Sequence, residues 1–136
     1  MKTFEVKARY MRCTGEESSR PVKETYIVRD ETCALVEELI IQELAPYANS
    51  NVEVFSIKEI KAYDFVNTIA AEKIYLCKVA FITIQDNGTE SRRNVNIYVG
   101  SDSLEHARKE ISEYLKELDC QLLAVSETKI LEVYLQ

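Results

Sequence analysis

SIKEIKAYDF, residues 56–65, and AVSETKILEVY, residues 124–134, are nearly one phrase written twice. Each passes through Glu, one residue and Lys, at Glu59 and Lys61 and at Glu127 and Lys129, before an apolar finish. A chain of 136 residues that repeats a phrase invites comparison with itself at other offsets.

At an offset of 71, FEVKARY (4–10) lies on YLCKVAF (75–81), so that Lys7 meets Lys78. Phe4, Val6, Ala8 and Tyr10 alternate along one side, as do Tyr75, Cys77, Val79 and Phe81. Period two is the mark of a half-buried strand. At the same offset Tyr26 and Val28 meet Ile97 and Val99, and Val36, Ile40 and Leu44 meet Ala107, Ile111 and Leu115. Beyond about residue 48 the offset becomes 68, and Phe55, Ile57, Glu59 and Lys61 meet Leu123, Val125, Glu127 and Lys129. The chain therefore reads as two copies of one unit, about 3–66 and 74–135, in a single domain.

Each copy predicts strand, strand, helix, strand. The strands fall at about 3–13, 22–29 and 52–65, then at about 74–85, 92–99 and 121–134. The helices fall at about 32–48 and 102–118. Asp86-Asn87-Gly88 is a hairpin signal between alternating runs. Thr32 is the expected cap of the first helix; Ser101, Asp102 and Ser103 offer cap oxygens for the second, where Asp102 with Glu105 fits a capping box. The expected fold is α+β: two β-β-α-β repeats related by a rough twofold axis, with two helices on one mostly antiparallel sheet of about six strands.

Glu59 and Lys61 continue the strand face of Phe55 and Ile57, which should be apolar. A bulge near Glu59 and Glu127, or a strand leaving the covered sheet, would account for them. As binding candidates, Glu59, Lys61, Glu127 and Lys129 are placed beside the twofold axis. The plainer alternative is a solvated pair that contributes little. Leu35, Leu39 and Ile41 correspond to the polar His106, Glu110 and Ser112. They give the first helix more apolar surface than one sheet face covers, which predicts an interface and a homodimer.

The net charge is −6, and each half nets −3 with 9 basic and 12 acidic groups in 1–68 and 8 and 11 in 69–136. That argues against a broad footprint for nucleic acid or anionic lipid. Arg9, Arg12, Arg20, Arg92 and Arg93 lie near the hairpins and eight tyrosines are available, so single-strand binding stays as a minor reading. There is no apolar run of membrane-spanning length, and MKTFEVKARY lacks the apolar core of a secretory signal. A reduced, cytoplasmic chain is expected. Cys13, Cys33, Cys77 and Cys120 form no C-x-x-C pair, and most align with apolar residues of the other copy. They read as small buried hydrophobes rather than metal ligands. His106 stands alone, and no nucleotide-loop or zinc-protease motif occurs. No catalytic residue, metal or cofactor is assigned.

Further stretches carry a likeness: MKTFEVKARY; Lys23, Thr25, Tyr26 and Val28; Pro46-Tyr47; Ile57, Lys58 and Lys61; Lys78, Val79 and Phe81-Ile82-Thr83; and Ser126-Glu127-Thr128, Ile130 and Val133. With these the chain resembles, over nearly its whole length, a family of small proteins of unknown function from Bacteroidetes genomes, their mobile elements and phages. The resemblance implies an intracellular bacterial or phage setting and brings no catalytic residues. The function expected is a non-enzymatic binding or adaptor protein with a protein partner. The alternatives are a small-ligand or nucleotide binder with its site between the repeats, and a single-strand binder.

Overall fold

Two twelve-residue alternating runs found the two sheets: β1 (Lys2–Cys13) and, much later, β5 (Lys73–Ile84). Each folds back on the next strand, β2 (Ser19–Asp30) or β6 (Glu90–Ser101), as an antiparallel hairpin. The structure, a computed structural model, describes residues 1–135. It is α+β, with two helices and two mostly antiparallel four-stranded sheets. At the second hairpin only Gly88 takes a positive φ, at 83°, inside a five-residue connection closed by Gln85 N–H to Thr89 O at 2.8 Å.

Helix α1 (Cys33–Leu44) starts where the Thr32 hydroxyl accepts from the Leu35 N–H, as expected, and ends in a short 3-10 turn, Ala45–Tyr47, containing Pro46. Helix α2 (Leu104–Leu115) is capped by Ser103, which accepts from the His106 N–H. Asp102 is not the cap. It stands one residue earlier and takes the His106 ring, Nδ1 to Oδ1 at 2.5 Å.

The expected third strand of each copy is broken. β3 (Glu53–Ile60) is followed by the separate β4 (Asp64–Val66), and β7 (Cys120–Glu127) by β8 (Ile130–Leu135). β3 pairs antiparallel with β1, and β7 with β5. The short final pieces do not stay with them. β8 pairs parallel with β2, and β4 pairs parallel with β6. The sheet orders are β3-β1-β2-β8 and β7-β5-β6-β4, the same order under this matching. The single six-stranded sheet is thus corrected to two, because the charged phrase ends one strand and lets the chain join the other sheet.

The chain accordingly packs as two compact units. Unit 1 is Met1–Ile60 together with the stretch from Ile130 onward, and unit 2 is Lys61–Lys129. In unit 1, Val36, Ile40 and Leu44 pack with Phe4, Val6, Ala8, Tyr26 and Val28. In unit 2, Ala107, Ile111 and Leu115 pack with Tyr75, Cys77, Val79, Ile97 and Val99. Both are the apolar stripe of a helix closing one sheet face.

Each third strand carries a bulge, but not at the glutamates. The register slips between Lys7 and Ala8 against β3, and between Lys78 and Val79 against β7, so Phe55 and Leu123 are the extra residues. Both are exposed, and Phe55 leaves the apolar face assigned to it. A second correction concerns the cysteines. Cys77 is buried, and burial pushes its thiol up to about 11. Cys13 and Cys33 are exposed, since they lie at a strand end and a helix start where no second layer covers them.

Candidate functional site

The repeated phrase marks the two places where the chain passes between units. Glu59 pairs across the ladder with Phe4, still on the core face of β3, but at the open end of the sheet. Lys2 is its ionic neighbour at 4.0 Å. Glu127, opposite Tyr75, is bound in the same way by Lys73 at 3.3 Å. Each glutamate therefore meets a lysine at the start of the adjoining strand rather than the lysine two residues on. Glu59 belongs to unit 1, while Lys61, Glu127 and Lys129 belong to unit 2.

Lys61 opens a cleft of about 570 Å³ in unit 2. β5 contributes Lys78, and β6 contributes Arg93, Asn94 and Asn96. Tyr63 and the bulged Leu123 complete the walls. The crossing segment is fixed by a bond from the Tyr63 N–H to the Asn96 carbonyl at 2.7 Å. The Tyr63 ring leans on Phe81, with centroids 5.0 Å apart and planes at 47°. No carboxylate lines the cleft among the described residues. Nor, among them, does Lys61, Lys78 or Arg93 form an ion pair. Lys61, Lys78 and Arg93 line the cleft, with Lys78 opposite Asn96 and Arg93 opposite Phe81 on alternate faces of the β5–β6 ladder.

Two of the cavity-lining cations of unit 1, Arg9 and Arg12, are neutralised. Arg9 holds Glu53 in a bidentate fork, at 2.9 and 2.8 Å, and sits 5.0 Å over the Phe55 ring. Arg12 lines a cavity of about 490 Å³ in unit 1 with Arg20, Glu24, Tyr26, Tyr47 and Tyr134, among others. There Glu24 is well buried and accepts at one oxygen from both the Tyr10 and Tyr26 hydroxyls. Arg12 donates to the Tyr10 hydroxyl at 2.8 Å and lies 3.5 Å from the other Glu24 oxygen. Burial first, and the Glu24 bond second, raise the pKa values of both phenols, so both remain donors at neutral pH.

That network is a property of unit 1 alone. Glu24 stands opposite Ala8 and Tyr26 opposite Val6. In the other sheet Val95 stands opposite Val79 and Ile97 opposite Cys77, all apolar. Unit 2 has part-buried polar contacts of its own, among them one from the Tyr114 hydroxyl to Asp64 at 2.6 Å. Burial and this bond push the phenol up to about 12.

Residues 2–136 match a family described as a domain of unknown function, DUF4494. The chain belongs to the DUF4494 family. No curated protein matches the sequence. The DUF4494 match spans both units and both crossings, so the reciprocal strand placement lies within one family domain.

In this DUF4494 chain, sequence reasoning named Lys61 beside the crossover and Arg93 among the hairpin arginines, but did not join them with Lys78. Lys78 and Arg93 are ordinary charged residues in alternating strands, and no motif links them. The available signal was Asn94-Val95-Asn96, two amides on one strand face beside an arginine pair. On α1, Leu39 packs against the unit 1 core, whereas Leu35 and Ile41 stay exposed on opposite flanks of the buried stripe. No helix is long and apolar enough to cross a membrane.

Proposed function

We propose that this chain is a non-enzymatic binding protein that takes an anionic small ligand in the cleft of Lys61, Lys78 and Arg93. The observation carrying this reading is a cleft lined by three cations, without ion-pair partners and without a carboxylate among the described residues, in a protein of net charge −6. A cleft lined by cations in an acidic protein concentrates anions locally and repels cations. Of the four crossover residues only Lys61 carries the reading, since Glu59 and Glu127 are held by Lys2 and Lys73. The matching strand order, matching bulges and matching crossings support an internal duplication. The sequence resemblance supports a cytoplasmic bacterial or phage setting.

The test is calorimetric titration with pyrophosphate and tripolyphosphate. Binding should weaken steeply as salt is raised. The Lys61→Glu, Lys78→Glu, Arg93→Glu variant should lose it altogether, with an unchanged melting profile. Equal binding by the wild type and that variant would remove the cleft from consideration.

A second reading, an adaptor or homodimer acting through α1, rests on Leu35, 44% exposed, and Ile41, 38% exposed. Light scattering should then show dimers for the wild type and monomers for Leu35→Glu with Ile41→Glu. A monomeric wild type at tens of micromolar would exclude self-association through these two flanks of α1.

A further inference from the structure

Independently of the unit 2 cleft, we infer that unit 1 carries a binding site for an elongated zwitterion, a small molecule with an ammonium at one end and a carboxylate at the other. The site is the cavity of about 490 Å³ that holds Arg12 and Glu24. Its strand residues share one face of the sheet. Arg20 stands opposite Arg12 of β1, and Glu24 and Tyr26 follow Arg20 at even spacing along β2. Glu132 and Tyr134 of β8 stand opposite Tyr26 and Val28, on that same face. The face is the one that α1 closes, since Tyr26 and Val28 pack with Val36, Ile40 and Leu44. The last turn of α1 adds Glu43 to the cavity wall, and the 3-10 turn after it adds Tyr47.

Opposite charges line this cavity without meeting. Among the described residues Arg20 forms no ion pair, and neither do Glu43 and Glu132. Their places in the sheet explain this. Arg20 precedes Tyr26 by six residues, which is about 20 Å along β2 from the position that faces Glu132. At the acidic end, burial raises the pKa of the Tyr134 phenol, the Glu132 carboxylate beside it raises it further, and Glu43 and Tyr47 add to the effect. Both carboxylates therefore act on one hydroxyl. The middle of the cavity is already paired: Arg12 lies 3.5 Å from Glu24 and 5.0 Å over the Tyr47 ring. A cavity with a paired centre and an unspent charge at each end matches a ligand of the opposite polarity. An ammonium has three donors, which Glu43, Glu132 and the Tyr134 oxygen can accept. The Arg20 guanidinium offers a carboxylate a two-pronged partner. Tyr26 and Tyr134, with centroids 6.0 Å apart, lay ring surface beside the chain that joins the two groups. A simple amine would leave Arg20 unused. An α-amino acid, with both groups on one carbon, is too short for the span. The cavity falls in the range of small-molecule pockets.

Calorimetry on the whole chain compares glycine, γ-aminobutyrate and ε-aminocaproate, with hexylamine and hexanoate as single-charge controls. ε-Aminocaproate should bind about tenfold more tightly than glycine or either control, with γ-aminobutyrate in between. Arg20→Gln should lower ε-aminocaproate to the level of hexylamine and leave hexylamine unchanged. Glu43→Gln with Glu132→Gln should lower it to the level of hexanoate and leave hexanoate unchanged. All three side chains belong to exposed residues, so the variants should melt as the wild type does. They should also keep any pyrophosphate binding, which separates this site from the unit 2 cleft. Hexylamine equal to ε-aminocaproate, with Arg20→Gln silent, would overturn the zwitterion in favour of a plain cation pocket. Glycine as tight as ε-aminocaproate would overturn the elongated ligand. No binding of any of these compounds at millimolar concentration would overturn the site itself.

Discussion

Gly100→Ala is expected to cost unit 2 about 3 kcal/mol or more, or to prevent its folding. A Cβ at Gly100 would lie 2.1 Å from the Asn67 carbonyl oxygen, 2.5 Å from the Ala71 Cβ and 2.9 Å from the Asn67 carbonyl carbon. Two of these are backbone atoms, which no rotamer change moves. The backbone there cannot easily retreat. Asn67 and Ala70 already sit at positive φ, 53° and 55°, and the Asn67 amide donates to Glu110 on α2 at 3.0 Å. Gly88→Ala is the control. Its Cβ would meet nothing within 4 Å, so only the φ of +83° opposes it, at about 1 kcal/mol. Urea unfolding followed by circular dichroism gives both numbers. Equal midpoints for the two variants would show that the turn of residues 67–71 yields freely.

Glu24→Ala should be nearly as damaging, at about 3 kcal/mol, for an electrostatic reason. It leaves the Tyr10 and Tyr26 hydroxyls and the Arg12 guanidinium without the carboxylate they share. Removing one member of a buried network costs the desolvation of those that stay. The informative partner is the triple variant Tyr10→Phe, Glu24→Met, Tyr26→Phe. It deletes the carboxylate and both hydroxyls together at nearly constant shape. That protein should fall within about 1 kcal/mol of the wild type, because Arg12, about a third exposed, can turn to water. The apolar Val95 and Ile97 at the matching positions of unit 2 are the natural precedent. A triple variant as weak as Glu24→Ala would mean that the carboxylate, not its stranded partners, supplies the stability.

The hairpins, both helices and the Thr32 cap were legible because they are local. Period two, period 3.6 and a capping oxygen are each written within a dozen residues. The strand exchange was not legible, because Glu59, Lys61, Tyr63 and Phe65 keep alternating straight through the point where the chain changes sheets. Only the two charges in mid-run betrayed it. Phe55 and Leu123 likewise look like ordinary inward residues, and their bulges follow from slips against Lys7 and Lys78 on another strand. Gly100 did carry a readable sign: a lone glycine in a strand often marks close approach of another backbone. Of the cleft, Lys61 and Arg93 stood out separately, and their meeting with Lys78 follows from the pairing of β4 with β6 and of β5 with β6. Such pairing is set by tertiary contacts rather than by local pattern.

The placement of β8 sets the order in which a growing chain can finish its parts. Synthesis delivers β1, β2, α1 and β3 first, yet the edge of β2 at Thr25–Arg29 has no neighbour until Ile130–Leu135 is made. All of unit 2 is translated in the meantime, and its own edge partner, β4, emerges before β6. The unit begun first is therefore completed last. While the ribosome works through unit 2, an open strand edge waits in the nascent chain, the kind of surface that recruits another strand.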